Sequence, residues 1–126
     1  MKNLKNKNEK IVLIVDDEED LIEITAFYLE DVGFSTLTAT NVQDALEVVK
    51  NNNVDFIVSD IRMPHRDGTE LLRELRSMNS NVPVIFVSGF SDYTEEELVK
   101  MGAVATLAKP VDRLRLIDLI CQKTAS

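Results

Sequence analysis

Five short apolar runs, each followed by a segment in which apolar residues recur with helical spacing, constrain the fold of this chain more than any other feature. The runs cover residues 11–15, 34–39, 54–59, 83–88 and 103–108. The first run, IVLIV, is unbroken and is typical of a strand that is covered on both faces. The second, FSTLTA, is weaker and predicts a strand nearer the edge of the sheet. Because strands that alternate with helices form parallel sheets with right-handed crossovers, we expect a three-layer α/β domain of five βα units.

Helical segments follow all five runs. Asn41 and Asp112 are placed to cap the second and the last helix, and Gly33 is placed to end the first. The third helix is predicted over residues 68–78 and the fourth over residues 92–101. Spacings of three and four residues predict the inward faces of the first and last helices: Leu21, Ile24, Thr25, Tyr28, Leu29 and Val32 on the first, and Leu114, Ile117, Ile120 and Cys121 on the last.

Length, charge and cysteine content limit the class of protein. The 126 residues, 44% of them apolar, suffice for one core. Residues 1–9 are rich in Asn and Lys and predict a solvated tail, so the domain is expected over residues 10–126. The net charge of −8 argues against direct binding of nucleic acid, which needs a basic surface. The sequence has one cysteine and no apolar run long enough for a membrane span or signal peptide, so we expect a cytoplasmic location.

Polar side chains follow four of the five predicted strands. Asp16 and Asp17 follow the first strand, Asp60 the third, Ser88 the fourth and Lys109 the fifth. Ligands of open parallel sheets bind outside the carboxyl ends of the strands, where the strand order reverses. If the strand order is 2-1-3-4-5, the first and third strands are neighbours, and the three aspartates meet at one edge.

Three carboxylates in one small site need a proton or a cation. Two like charges about 4 Å apart cost about 4 kcal/mol at an effective dielectric constant near 20. Few carboxylates without a calcium-binding loop suit Mg²⁺, and a lysine and a hydroxyl beside it suit a phosphoryl group. One carboxylate can then act as the nucleophile and form an aspartyl phosphate. Asp and Ser are also common helix caps, but a cap has no use for a lysine at a strand end.

Four motifs at the strand ends resemble those of bacterial response-regulator receiver domains. They are VDDEED, SDIRMPHRDG, VSG and AKP, in this order along the chain. The resemblance covers residues 10–123 and implies the flavodoxin-like (βα)5 fold with strand order 2-1-3-4-5, here as a stand-alone receiver. It also implies a cis peptide bond between Lys109 and Pro110.

This resemblance assigns roles to the residues at the strand ends. It implies that Asp60 accepts a phosphoryl group from a sensor histidine kinase or a histidine phosphotransfer protein. It also implies that Ser88 and Lys109 hold the phosphoryl oxygens. The implied Mg²⁺ ligands are Asp16, Asp17, Asp60 and the backbone carbonyl of Arg62.

The sequence departs from the family at Thr106, where the family usually carries Tyr or Phe. We expect Ser88 and Thr106 to form the switch, with output through the fourth helix, fifth strand and fifth helix to an unidentified protein partner. Arg62 and Phe90 look over the acceptor in this family, so we expect them to form a lid that slows hydrolysis of the phosphorylated state.

Two other functions compete with this interpretation. A Mg²⁺-dependent aspartyl-phosphate phosphohydrolase typically needs a second aspartate two residues after the nucleophile, and this sequence has Arg62 there. A pseudo-receiver that only binds partners would not need the full set of strand-end residues. We therefore expect a phosphorylation switch that catalyses its own phosphorylation and dephosphorylation without being a turnover enzyme.

Overall fold

The computed structural model describes residues 10–89 and 93–124, in which strands and helices alternate throughout. The elements are β1 Ile11–Val15, α1 Glu19–Asp31, β2 Ser35–Ala39, α2 Val42–Asn51, β3 Phe56–Asp60, α3 Gly68–Ser77, β4 Val84–Ser88, α4 Glu95–Met101, β5 Ala105–Ala108 and α5 Arg113–Thr124. The five predicted βα units are confirmed. Within the described residues, no helix is both long and apolar enough to cross a membrane.

The strands form one parallel sheet in the order β2-β1-β3-β4-β5. This is the predicted flavodoxin-like order, and the weak strand β2 lies at an edge as expected. Strand β2 lies on one side of β1, and β3, β4 and β5 follow on its other side, so the strand order reverses between β1 and β3. The carboxyl ends of β1 and β3 therefore lie side by side, which is where a ligand site is expected in this architecture.

Each face of the sheet is buried in its own core. Successive side chains of a strand point to opposite faces, so Leu13 and Ile57 pack in the core that includes residues of α2, α3 and α4. Their neighbours Val12 and Val58 pack in the core that includes residues of α1 and α5. These four side chains are all at most 4% exposed. The three-layer arrangement is confirmed, and it explains why the strands read as continuous apolar runs.

Side-chain caps fix the beginnings of four helices. Asn41 accepts a hydrogen bond from the N–H of Asp44, and Asp112 accepts from the N–H groups of Leu114 and Arg115, so both predicted caps are confirmed. The other two caps are reciprocal capping boxes, one of Asp67 with Glu70 and one of Thr94 with Glu97. Helix α4 begins at Glu95 rather than at the predicted residue 92, which lies outside the described residues.

The predicted inward faces of α1 and α5 are partly wrong. Ile24 and Val32 are 49% exposed, Leu114 is 69% exposed, and Cys121 is also exposed. The side chains that these helices bury are Ile22 and Leu29 on α1, and Leu116 and Ile120 on α5.

A cavity beside α5 accounts for part of this difference, at Ile24. Leu21, Ile24 and Tyr28 of α1 line a cavity of about 550 Å³ together with Leu116 and Ile117 of α5. Most of its lining is apolar, but Asp60 and Lys109 also border it. The guanidinium of Arg113 lies 4.5 Å from the centre of the Tyr28 ring, so the two helices also meet through a cation–π contact. The apolar stripe of α1 is therefore shared between the sheet and the cavity.

Candidate functional site

The carboxyl ends of β1 and β3 bring three predicted carboxylates together. The last pair between these strands is Val15 with Ser59, so Asp16 and Asp60 follow at the same level. One carboxylate oxygen from each of Asp16, Asp17 and Asp60 lies within 4.8 Å of the others. Asp16 and Asp60 are only 8% and 7% exposed, whereas Asp17 is exposed. The site thus has a buried floor and an open side.

Both carboxylate oxygens of Asp60 are held by hydrogen bonds. Its Oδ1 accepts from the N–H of Ile61 at 2.7 Å, and its Oδ2 accepts from Nζ of Lys109 at 3.0 Å. One of these donors is backbone and the other is a cation. The carboxylate therefore has a defined orientation at the end of β3.

Lys109 enters the site from the end of β5. Its backbone N–H donates to the carbonyl of Ser88 at 3.0 Å, and its peptide bond to Pro110 is cis, as the resemblance implied. Besides Asp60, the ammonium lies 3.5 Å from Oδ2 of Asp16 and 3.9 Å from Oε1 of Glu18. The lysine is thus shared among carboxylates of two strand ends.

Glu18 was not among the predicted site residues. It lies in the acidic segment after β1, and its exposed side chain reaches Lys109 from outside the cluster. Its backbone N–H also donates to Oδ1 of Asp16 at 2.9 Å. The run DDEED was the available signal, but its spacing alone could not tell which acidic residue turns towards the lysine.

Burial and charge shift two pKa values at the site. Burial raises the pKa of the Asp16 carboxyl, the Glu18 N–H and Lys109 oppose that rise, and Asp60 and Asp17 add to it. Burial alone would lower the pKa of Lys109, but the hydrogen bond to Asp60 and the nearby carboxylates outweigh it and raise that pKa. The lysine is therefore a cation at neutral pH, and Asp16 is a carboxylate that folding makes harder to ionise.

The chemistry of the donors fits a hard metal ion. The cluster offers carboxylate oxygens alone, which suit small divalent cations such as Mg²⁺ better than thiophilic metals. One ammonium against three carboxylates leaves an excess of negative charge that a divalent cation can neutralise. The aspartate cluster can therefore hold a metal ion.

The two predicted switch residues lie on one face of the sheet. Ser88 pairs with Ala108, and Thr106 pairs with Phe86, two residues before Ser88. Phe86 packs in the core on the α3 and α4 side, and strand alternation puts Ser88 and Thr106 on that same side. Both residues are half-buried. Thr106 thus lies on the strand next to Ser88, two residues before the residue that pairs with Ser88.

The lid roles of Arg62 and Phe90 stay predictions. Arg62 lies two residues beyond Asp60 with an exposed side chain. The loop that follows is attached to α3 by ion pairs of Arg66 with Glu70 and Glu74. Phe90 lies outside the described residues, so its role stays a prediction.

Comparison with known proteins agrees with this geometry. A family model described as "Response regulator receiver domain" matches residues 12–121, nearly the whole chain. The solved receiver domain of the Francisella response regulator 1452 matches with a TM-score of 0.84 at 34% identity, covering 92% of this chain and 97% of that one. The fold and the family model therefore point to the same class of domain.

Two curated relatives are much longer than this chain. Regulatory protein AtoC of Escherichia coli strain K12 is 37% identical over 115 residues, which make up 89% of this chain and 24% of AtoC. The autoinducer 1 sensor kinase/phosphatase LuxN of Vibrio campbellii is 32% identical over 105 residues, which make up 83% of this chain and 12% of LuxN. The similarity thus covers most of this chain and a quarter or less of these proteins. The chain belongs to the family of receiver domains of two-component response regulators.

Proposed function

We propose that Asp60 is the phosphoacceptor and takes its phosphoryl group from the phosphohistidine of a sensor histidine kinase or a histidine phosphotransfer protein. The observation that carries this proposal is the 3.0 Å hydrogen bond from Lys109 Nζ to Asp60 Oδ2 inside a cluster of carboxylates. A buried nucleophile beside a fixed cation is the arrangement that phosphoryl transfer needs, because this reaction depends mainly on positioning and charge neutralisation.

The transfer forms one bond and breaks one bond. A carboxylate oxygen of Asp60 attacks phosphorus, and the bond from phosphorus to the histidine nitrogen breaks with its electron pair on the imidazole. The ammonium of Lys109, which contacts Asp60 and Asp16 before the reaction, then neutralises charge on the phosphoryl oxygens. Ser88 donates its hydroxyl to another of these oxygens.

Asp16, Asp17, Asp60 and the backbone carbonyl of Arg62 are the proposed ligands of Mg²⁺. Bound Mg²⁺ supplies positive charge against the phosphoryl oxygens. The site has more carboxylates than cations, and this excess of negative charge favours binding of a divalent cation, which supports the assignment. Asp17 has an exposed side chain and so is accessible to a hydrated ion.

The phosphorylated state is proposed to signal through the surface of α4, β5 and α5 to a protein partner. Drawing Ser88 towards the phosphoryl group moves the end of β4, and Thr106 follows on the same face of the sheet in place of an aromatic switch. Arg62 and Phe90 restrict the access of water to the acyl phosphate. Residues 10–126 are proposed to act as this cytoplasmic switch, which catalyses its own phosphorylation and dephosphorylation without being a turnover enzyme in the usual sense.

Intact mass spectrometry after incubation with acetyl phosphate and MgCl₂ tests the proposal. We expect one added phosphoryl group, which chelation of the metal prevents. Asp60→Asn should remain unmodified, and Asp55→Asn is a matched control because Asp55 lies before the same strand and binds the N–H of Ile11. An unmodified wild-type protein, or an Asp60→Asn protein modified as fast as wild type, contradicts the proposal.

A further inference from the structure

A buried serine precedes the proposed acceptor and binds its backbone. Ser59 is 0% exposed, and its hydroxyl donates to the main-chain carbonyl of Asp60 at 2.7 Å. Strand alternation points its side chain to the opposite face from the Asp60 carboxylate. Ser59 therefore cannot reach a ligand in the carboxylate cluster, and its influence on the site must pass through the backbone.

The bonded carbonyl belongs to the same peptide unit as the N–H that holds the carboxylate. The carbonyl of Asp60 and the N–H of Ile61 lie in one planar group. Ser59 binds the carbonyl end of that group, and the N–H end donates to Asp60 Oδ1 at 2.7 Å. Fixing the carbonyl therefore fixes the direction of the N–H, and the two hydrogen bonds in series strengthen each other.

Gly68 closes the space around the same carbonyl. A Cβ atom at this position would lie 2.5 Å from the Asp60 carbonyl oxygen and 2.8 Å from Cε1 of Phe86. The N–H of Gly68 also donates to the carbonyl of Ile61 at 2.8 Å. The peptide between Asp60 and Ile61 is thus both enclosed by the start of α3 and bonded by Ser59.

We propose that Ser59 is a positioning residue for phosphoryl acceptance, acting through the Asp60–Ile61 peptide to hold the Asp60 carboxylate in its reactive orientation. The proposal rests on Asp60 being the acceptor. Loss of the hydroxyl removes one of the restraints on this peptide, so the carboxylate samples a wider range of orientations, some of them out of line with the incoming phosphorus. Small errors of alignment slow such reactions strongly.

The test compares Ser59→Ala with Ser59→Thr and with a matched buried serine. We expect Ser59→Ala to lower the maximal rate of labelling by acetyl phosphate about tenfold, with little change in the half-saturating donor concentration. Ser59→Thr keeps the hydroxyl and should stay within about twofold of wild type. Ser35 is the first residue of β2 and pairs with Ile11, so it lies at the amino ends of the strands, away from the site. Ser35→Ala removes a buried hydroxyl there and should keep the wild-type rate.

A second measurement reads the peptide itself and needs no phosphorylation. The amide proton of Ile61 should shift upfield in the NMR spectrum of Ser59→Ala as its bond to Asp60 weakens, and it should not shift in Ser35→Ala. A wild-type labelling rate in Ser59→Ala, or an unshifted Ile61 amide, overturns the positioning role. Failure of the proposed function looks different, because the wild-type protein itself then carries no phosphoryl group on Asp60.

Discussion

Nζ of Lys109 lies 3.0 Å from Oδ2 of Asp60, so a hydrogen bond joins the end of the fifth strand to the end of the third across β4. The two residues are 49 positions apart in the chain, and the long lysine side chain reaches Asp60 past the one strand that separates β5 from β3. This contact places a fixed cation on the proposed nucleophile before any donor binds.

Replacing Lys109 should remove charge stabilisation in the transition state without removing the nucleophile. We expect Lys109→Met to slow labelling by acetyl phosphate about 100-fold, which is the usual cost of losing one group that stabilises developing charge. The rate is measured by intact mass over time. Lys100→Met is the matched control, since Lys100 is an exposed lysine of α4 that lies 3.9 Å from Glu96. Equal rates in Lys109→Met and wild type would rule out this role.

Replacing Asp16 should stabilise the metal-free protein and reduce the stabilisation that added metal provides. In the absence of metal, burial disfavours the ionised Asp16 carboxylate, and repulsion by Asp60 and Asp17 adds to this effect. Both outweigh the opposing Glu18 N–H and Lys109, so Asp16→Asn should raise the free energy of unfolding by about 1 kcal/mol. Because the variant loses a proposed ligand, added MgCl₂ should stabilise it less than wild type. Urea unfolding in EDTA and in MgCl₂ measures both effects. Asp31→Asn, at the exposed end of α1, should change neither quantity.

The raised pKa of Asp16 predicts a pH dependence of the metal-free protein. A group whose pKa is higher in the folded state than in the unfolded state stabilises the fold below its unfolded pKa, here about 3.8. That contribution is lost as the pH rises through the folded pKa. In EDTA, wild type and Asp16→Asn should therefore be similarly stable near pH 4, and wild type should become the less stable protein towards neutral pH. A stability difference that is the same at all pH values is the contrary result.

Arg62 tests the proposed lid, because its exposed side chain lies two residues beyond Asp60. Removing it should admit water to the acyl phosphate, so Arg62→Ala should lose its phosphoryl group about threefold faster than wild type. The decay is followed by intact mass after removal of acetyl phosphate. Arg73→Ala, an exposed arginine of α3, provides the comparison. Identical decay in all three proteins would remove Arg62 from the lid.

The corrected faces of α5 can be tested by stability. Leu114 is 69% exposed although its spacing predicted an inward side chain, so Leu114→Gln should change the free energy of unfolding by less than about 0.5 kcal/mol. Ile120 is 0% exposed, and Ile120→Ala should cost about 3 kcal/mol. Urea unfolding of both variants measures the difference. A large loss of unfolding free energy in Leu114→Gln would show that Leu114 is buried after all.

The sequence was more informative about the sheet than about the buried faces of the helices. The parallel sheet could be predicted because strands alternate with helices. The order 2-1-3-4-5, which brings Asp16 and Asp60 to one edge, was implied by the resemblance of the strand-end motifs to receiver domains. The buried faces of α1 and α5 could not be predicted fully, because a broad apolar stripe, such as the one on α1 that includes Ile24, fits several rotations of the helix. Contacts between the helices then select one of these rotations.

Short-range contacts at the site were also beyond sequence reasoning. In the sequence, Ser59 is only a polar residue that precedes Asp60. The structure shows that its hydroxyl donates to the Asp60 carbonyl. Glu18 likewise could not be distinguished from its acidic neighbours until its distance to Lys109 was known. Spacing identifies which strand end a residue occupies, whereas hydrogen bonds depend on how the chain turns after that end.

Mapping the phosphorylated residue tests the central claim most directly. After incubation with acetyl phosphate and MgCl₂, borohydride reduces an aspartyl phosphate to homoserine and so marks the acceptor permanently. Peptide mass spectrometry should find homoserine at position 60 and aspartate at positions 16, 17 and 55. Homoserine at one of those other positions, with Asp60 unchanged, would contradict the assignment of Asp60 as the phosphoacceptor.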